Sequence, residues 1–376
     1  MKIELGLKTG IALPLLAILI IGMSILVVFN YLSQINILQK EEAQSIESSI
    51  NTAQFFIETA GIHYQQMAAL VANMPDIQET LSKKDRNRLI DKLLPTFNYL
   101  HENFGLAQFH LQIPPATSLV RLHDLARFGD DLSTFRETVL QVEKTKKGVR
   151  GLELGVGGVG LRGVEPVFYK DNYVGSVDFG GGLKTEFEQI KKAINADLGV
   201  VLYQQPLQKW PGLQDIKERF GEFVPIYFTA KDPKLFISES ALKEAAQSKE
   251  KYYIEYVSKF GKDYAVVYTP FKDFSGKTVG FMYIIKERIL TPARIFTILG
   301  INVFVYALML VLIAVVIGYF MNKYVINPIV TLTKTADEIS MGKTAQKIEI
   351  KNARGEIAVL AKAIERMRIT MKKLLE

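Results

Sequence analysis

Two long uncharged apolar runs bracket this chain. No residue from Thr9 to Gln39 carries a charge, and Ile11 to Phe29 is almost wholly apolar. Charge is absent again from Ile295 to Asn322. A helix needs roughly 20 apolar residues to cross a hydrocarbon layer of about 30 Å. Both runs meet that requirement, which predicts transmembrane helices at 11–32 and 295–321. The polar segment between them, about 260 residues, has room for one or two domains.

Charge predicts the orientation. Lys2 and Lys8 precede the first run against one acid, Glu4. From Lys323 onward eleven Lys and Arg face six Asp and Glu, while the whole chain is only +7. The large middle segment is therefore nearly neutral. Short loops rich in Lys and Arg stay cytoplasmic, so both termini, including the 1–10 tail, are expected on the cytoplasmic side of the membrane and the middle segment outside. The basic balance reports topology, with no need to invoke nucleic acid. The first run is longer than the apolar core of a signal peptide, and Val27-Val28-Phe29-Asn30-Tyr31 offers no small-x-small cleavage site.

Cysteine is absent, so the middle segment must hold itself together by its core. The four histidines, His63, His101, His110 and His123, lack the spacing of a helical zinc site. Neither a metal nor a cofactor is expected. Gly155-Val156-Gly157-Gly158-Val159-Gly160 fits Gly-x-Gly-x-x-Gly, but that fingerprint needs a helix to begin within it. The following Leu161-Arg162-Gly163-Val164-Glu165-Pro166 reads as a strand, so a turn between strands is expected. Without a nucleophile elbow, P-loop or His-Glu-x-x-His, the chain is not expected to be an enzyme.

After the first run, apolar residues recur at Ile35, Leu38, Ile46, Ile50, Ala53, Ile57, Ala60, Tyr64, Met67 and Val71. Steps of mostly three, four and seven predict one long helix continuing to Pro75. Further helices are predicted at Leu132–Lys146, Leu183–Asn195 and Ser238–Lys249. Alternation at Phe109, Leu111 and Ile113, and at Leu119, Arg121 and His123, predicts strands on either side of Pro114-Pro115. Arg162–Tyr169 and Tyr173–Phe179 read as a hairpin turning at Lys170-Asp171-Asn172. A similar hairpin follows at Asp263–Phe271 and Thr278–Ile285. Each has a Pro near the end of its first strand, Lys-Asp in its turn and Val-Gly in its return strand. This weak internal repeat predicts two α+β modules.

The tail carries the strongest local signal. Ile329, Leu332, Ala336 and Ile339 form one stripe, Gly342 breaks it, and Ile348 and Ile350 alternate in a connector. Ile357, Leu360, Ile364, Met367, Met371 and Leu374 then sit at heptad a and d positions. Two short heptad helices with Pro328 before the first and Glu356-Ile357 opening the second resemble the HAMP signal-relay module of bacterial receptors. Ala358 departs mildly from the Gly usual there. The resemblance implies a parallel four-helix coiled coil made by a homodimer. It assigns signal relay to Pro328, Glu356, Ile357, Leu360 and Ile364.

With that module in place, the middle segment also resembles a known family. Arg121-Leu122-His123-Asp124, Phe128–Arg136, Gly151–Gly155 and Arg162–Phe168 are similar to the double Cache sensor domains of chemoreceptors and sensor kinases. The resemblance implies an α+β fold of two PAS-like modules on a long N-terminal helix. The expected divisions are a stalk helix at 33–75, a membrane-distal module at 76–196, a membrane-proximal module at 197–290 and HAMP at 322–376. It also implies a ligand site in the distal module.

The residues expected at that site are Arg121, His123, Phe128, Arg136, Arg162 and Asp178. Arg121 and His123 at i and i+2 would share a strand face, and Arg136 would lie on the following helix. Three arginines favour a small carboxylate-bearing ligand, while the neighbouring aspartates leave room for a zwitterion. The same residue types also suit a salt-bridge network under a loop, with Arg121, Asp130 and Arg136 as its members. The chain thus reads as a two-pass chemotaxis or two-component type sensor, relaying to a cytoplasmic partner or to an output domain missing beyond Glu376. The alternative is a membrane-anchored envelope binding protein without a signalling role.

Overall fold

The structure is a computed structural model that describes residues 7–155, 158–207, 216, 218–345, 347 and 354–375. It divides into a compact unit of residues 40–289 and a second unit made of 1–39 with 290–376. The first helix, α1, runs unbroken over Leu7–Ala72. It gives way at Asn73-Met74 to α2 (Pro75–Ser82), with Pro75 at the first helical position where its missing N–H costs nothing. Helix α3 (Arg86–Phe104) follows, capped by the Asp85 carboxylate accepting from the Arg88 N–H at 3.1 Å. The sequence reading missed α2 and α3, although Leu89, Leu93 and Phe97, spaced by four, form the buried stripe of α3.

Two five-stranded antiparallel sheets build the 40–289 unit. The first contains β1 (Gln108–Ile113), β2 (Thr117–Arg121), β3 (Val149–Gly155), β4 (Gly158–Tyr169) and β5 (Asn172–Gly182), in the order β2-β1-β5-β4-β3. The second contains β6 (Asp197–Tyr203), β7 (Phe223–Phe228), β8 (Tyr253–Lys259), β9 (Lys262–Lys272) and β10 (Thr278–Glu287), in the order β7-β6-β10-β9-β8. Renumbered from its own first strand, the second order is identical to the first. The weak repeat read in the two hairpins is therefore a repeat of topology. The Gly-rich run expected as a turn is mostly strand: Gly155 ends β3 and Gly158-Val159-Gly160 opens β4, with 156 and 157 outside the described residues.

Helices α4 (Glu137–Thr145), α5 (Leu183–Ile194), the short α6 (Gln204–Leu207) and α7 (Glu239–Gln247) connect the strands. Helix α4 begins five residues later than the expected Leu132–Lys146. Asp131 accepts from the Ser133 N–H at 2.8 Å, making a turn that competes with helix, and Arg136 sits at φ −116°, ψ 73° as the capping residue. The first hairpin turns on Lys170-Asp171 alone, both at positive φ, and Asn172 already pairs with Tyr169.

The stripe on α1 serves both sheets. Ile46, Ile50 and Ala53 pack with Phe187 and Ile190 of α5 and with Leu198, Val267 and Ile284 of the second sheet. Ala68, Val71 and Ala72 pack with Phe109, Leu111, Val177 and Phe179 of the first. Burying one such side chain stabilises the fold by about 1.5–3 kcal/mol. Gly163 lets β4 approach α1 closely: a Cβ there would lie 2.0 Å from the Gln65 nitrogen.

In the other unit, α1 and α8 (Pro292–Met321) contain two stretches long and apolar enough to cross a membrane. Helix α8 passes through a π turn at Asn322–Ile326 into α9 (Asn327–Ser340). Pro328 explains the irregularity, since it has no N–H to donate to the Tyr324 carbonyl one turn earlier. Gly342, at φ +86°, ends this segment, and α10 (Gly355–Leu375) follows. Ile348 and Ile350 lie outside the described residues. Leu332 and Ile339 are buried, whereas Leu360, Met367 and Leu374 on the α10 stripe are exposed at 49%, 64% and 79%.

Candidate functional site

The two faces of the first sheet differ in chemistry because its strands alternate. Phe109, Leu111, Val177 and Phe179 point toward the helices. The residues between them, Gln108, His110 and Gln112 on β1 and Ser176 and Asp178 on β5, point the other way. Arg162 of β4 and Glu153 of β3 join this second face. It is polar yet closed over by the segment from β2 to α4: His110, Gln112, Arg136, Glu153, Arg162, Ser176 and Asp178 are all buried.

Four charges occupy its centre. Arg136 Nε donates to Glu153 Oε2 at 2.8 Å, and its terminal nitrogen donates to Asp178 Oδ2. Arg162 lies 3.8 Å from Glu153 Oε2 and 3.9 Å from Asp178 Oδ2, and donates to Gln108 Oε1. The other Glu153 oxygen accepts from the Thr138 N–H at 2.8 Å and the Thr138 hydroxyl at 2.7 Å, which pins it to the first turn of α4. The two arginines and two carboxylates balance. Two atoms do not: Arg162 Nε and Asp178 Oδ1 are buried without a hydrogen-bond partner. Such atoms are rare in folded proteins and costly to leave unmet.

The surroundings shift several groups. Burial opposes the Arg136 charge, but Asp178 and Glu153 outweigh it and hold the guanidinium above its ordinary value. Burial, then the Arg136 charge, pushes Arg162 down. His110 is driven well below its ordinary value by burial, then by Arg136 and Arg121, and as a neutral ring it shares a 2.8 Å hydrogen bond with Ser118. Beyond Arg162, the Tyr64 hydroxyl of α1 donates to Glu186 of α5 at 3.0 Å. Burial, then Glu186, raises Tyr64, and burial raises Glu186.

The structure brings Arg136, Arg162 and Asp178 together and places the other expected site residues around them. Arg121, at the end of β2, makes a two-pronged pair with Asp130 at 2.6 and 2.7 Å and donates to the Arg127 carbonyl. Arg121 and Asp130 are thus partners in a salt bridge under a loop. His123 falls beyond the end of β2, so it does not share a strand face with Arg121; its ring meets His110 edge-on at 6.3 Å. Burial lowers its basicity. Phe128 is 55% exposed, with the Arg86 guanidinium 4.0 Å over its ring. Arg136 caps α4 instead of lying within it. Gln108, Gln112 and Glu153 went unnoticed in the sequence, although polar residues at alternate positions of a strand were the available signal.

Larger open cavities lie between the two sheets. One of about 600 Å³ is lined by Arg150, Lys272 and Phe274, and one of about 780 Å³ by Tyr203, Phe274 and Lys277. The β9–β10 loop meets the first sheet here. The Phe274 N–H donates to the Leu152 carbonyl of edge strand β3 at 2.9 Å.

Paired five-stranded modules carried on one long helix, with a buried polar face in the first, are the architecture of a sensory domain. The chain belongs to the dCache_3 family, described as the double sensory domain of two-component sensor kinase, which matches residues 39–288. Residues 320–373 match the HAMP domain. The chain is thus a two-pass, signal-sensing receptor with a double Cache module followed by HAMP. Among solved structures, it is similar to the ligand-binding domain of Campylobacter jejuni chemoreceptor Tlp3 in complex with L-valine, at 12% identity and TM-score 0.45, covering 71% of this chain and 98% of that one. It is also similar to the sensor domain of the V. cholerae histidine kinase DctB, at 13% identity and TM-score 0.42, covering 67% and 100%. The periplasmic domain of Vibrio cholerae LuxQ matches at 13% identity and TM-score 0.38, covering 65% and 99%. No curated protein matches.

Proposed function

We propose that this receptor binds a small carboxylate-bearing molecule on the polar face of the first sheet and signals as a homodimer. The observation that carries the reading is the buried quartet with its two unmet atoms. A ligand carboxylate at Arg162 would satisfy the orphaned Nε in a charge-assisted bond. A ligand ammonium or hydroxyl at Asp178 would satisfy Oδ1. Because the quartet is neutral, a zwitterion enters without leaving excess charge behind.

Charge asymmetry supports placing both termini in the cytoplasm and the 40–289 unit outside. The exposed heptad stripe on α10 supports a partner of the same kind in a coiled coil. Ligand binding would shift the balance between two packings of that bundle, and coupling of about 1–3 kcal/mol is enough to bias it. The output is a cytoplasmic signalling protein or domain of chemotaxis or two-component type. The reading involves no catalytic step.

Thermal melting of the full chain in detergent, screened against organic acids, amino acids and amines, tests it. A true ligand should add about 2.7 kcal/mol of stability at a hundredfold excess over its Kd. Arg162→Gln should fold and lose that gain. If only amines stabilise the protein, or if Arg162→Gln responds like the parent, the assignment fails.

A further inference from the structure

The second sheet has two distinct ends. At one, the β9–β10 loop donates from Phe274 to the first sheet. At the other, three strand connections gather. The β8–β9 turn is Phe260-Gly261, closed by the Lys259–Lys262 pair. Strand β10 ends beside it, with Glu287 opposite Tyr264 and the Arg288 N–H donating to the Asp263 carbonyl at 2.8 Å. The segment after β7 arrives at the same end, where Phe236 meets Tyr264 edge-on at 5.2 Å.

This end presents apolar side chains that folding does not use. Phe260 is 77% exposed and Leu235, in the turn Pro233–Leu235, is 38% exposed. Phe260 also sits at φ +53°, followed by Gly261 at +74°. Two residues at positive φ make the tight hairpin turn that Asn-Gly or Asp-Gly forms most readily, and a bulky side chain there is strained. Neither packing nor turn chemistry explains a phenylalanine at this position. Lysines lie beside the two side chains: Lys259 and Lys262 flank Phe260, and Lys231 and Lys234 precede Leu235, with Lys262 also paired to Glu287 at 2.8 Å and Lys234 to Glu218 at 3.0 Å.

The chain runs from this end directly into the second apolar stretch. Arg288 stands four residues before Pro292, where the second apolar helix begins, a reach of about 14 Å at full extension. Arg288 is also clasped by Glu42 of α1 at 3.2 Å through both carboxylate oxygens. We propose that this end of the second sheet is a lipid-binding surface, with Phe260 and Leu235 immersed among the headgroups and the lysines facing lipid phosphates. Phe and Leu set among Lys and Arg is the combination that lies in membrane interfaces. The inference rests on the two-span reading.

The absence of cysteine makes the test clean. Phe260→Cys, Leu235→Cys and, as control, Asp171→Cys in the β4–β5 turn of the first sheet are each labelled with an environment-sensitive dye. The full chain is reconstituted in phosphatidylcholine vesicles, with and without phosphatidylglycerol. The dyes at 260 and 235 should shift to the blue relative to detergent and be quenched several-fold by headgroup-region nitroxide lipids. The dye at 171 should do neither. Dyes at 260 and 235 that stay as water-exposed as the one at 171 overturn the proposal. An impermeant thiol reagent on intact cells tests sidedness separately. Failure to label Asp171→Cys counts against the outer placement and leaves the lipid contact to be decided by the quenching.

Discussion

Arg136 offers the sharpest test of the buried quartet. It is 5% exposed and bonds both Glu153 and Asp178, which are 4% and 0% exposed. Arg136→Gln removes the positive charge nearest to both carboxylates, and Arg162, at 3.8 and 3.9 Å, cannot replace it at hydrogen-bond distance. Breaking a buried ion pair from one side typically costs about 3–5 kcal/mol, because the stranded charge keeps its desolvation penalty. For a unit of this size each kcal/mol moves the melting temperature by about 2–4 °C. A loss of about 4 kcal/mol therefore predicts a drop of roughly 8–16 °C in calorimetry. Glu153→Gln added to Arg136→Gln should cost less than the two single losses together, since one stranded charge is then gone. An Arg136→Gln protein that melts within about 1 kcal/mol of the parent would show that the quartet holds nothing together. Strictly additive losses would show that the two groups are not coupled.

Stability should also depend on pH through His110. Its folded value is depressed by burial, so the unfolded chain takes up the proton first as pH falls; stability is full above the unfolded value of about 6.5 and declines below it. Titrated chemical denaturation should show this slope, and His110→Gln should flatten it; an unchanged slope would remove His110 as its source. On α10, cysteines at Leu360 and Ile364 should crosslink between copies in membranes far better than one at Lys362. Equal yields would sink the coiled-coil dimer.

The architecture was legible where periodicity was long or repeated. The α1 stripe from Ile46 to Val71 and the two matched hairpins carried the long helix and both modules. Local competition hid other parts. Leu132 to Lys146 has helical spacing, but the Asp131 side chain captured the Ser133 N–H and delayed the helix to Glu137. On the polar face, Arg136, Arg162 and Asp178 were singled out by residue type once the resemblance had pointed to this module. Gln108, Gln112 and Glu153 were not, because their importance comes from sharing one sheet face with residues up to 70 positions away, a relation set by register.

The π turn at Asn322–Ile326 has a mechanical consequence. One extra residue in a helical turn offsets everything beyond it by about 100° around the axis. The face that α8 presents within the bilayer is therefore out of phase with the Leu332 and Ile339 face of α9. If the turn relaxed to regular helix, the tail would swivel by more than a quarter revolution without the membrane segment tilting or sliding. Pro328 sits where it blocks that relaxation, acting as a detent on a rotary joint.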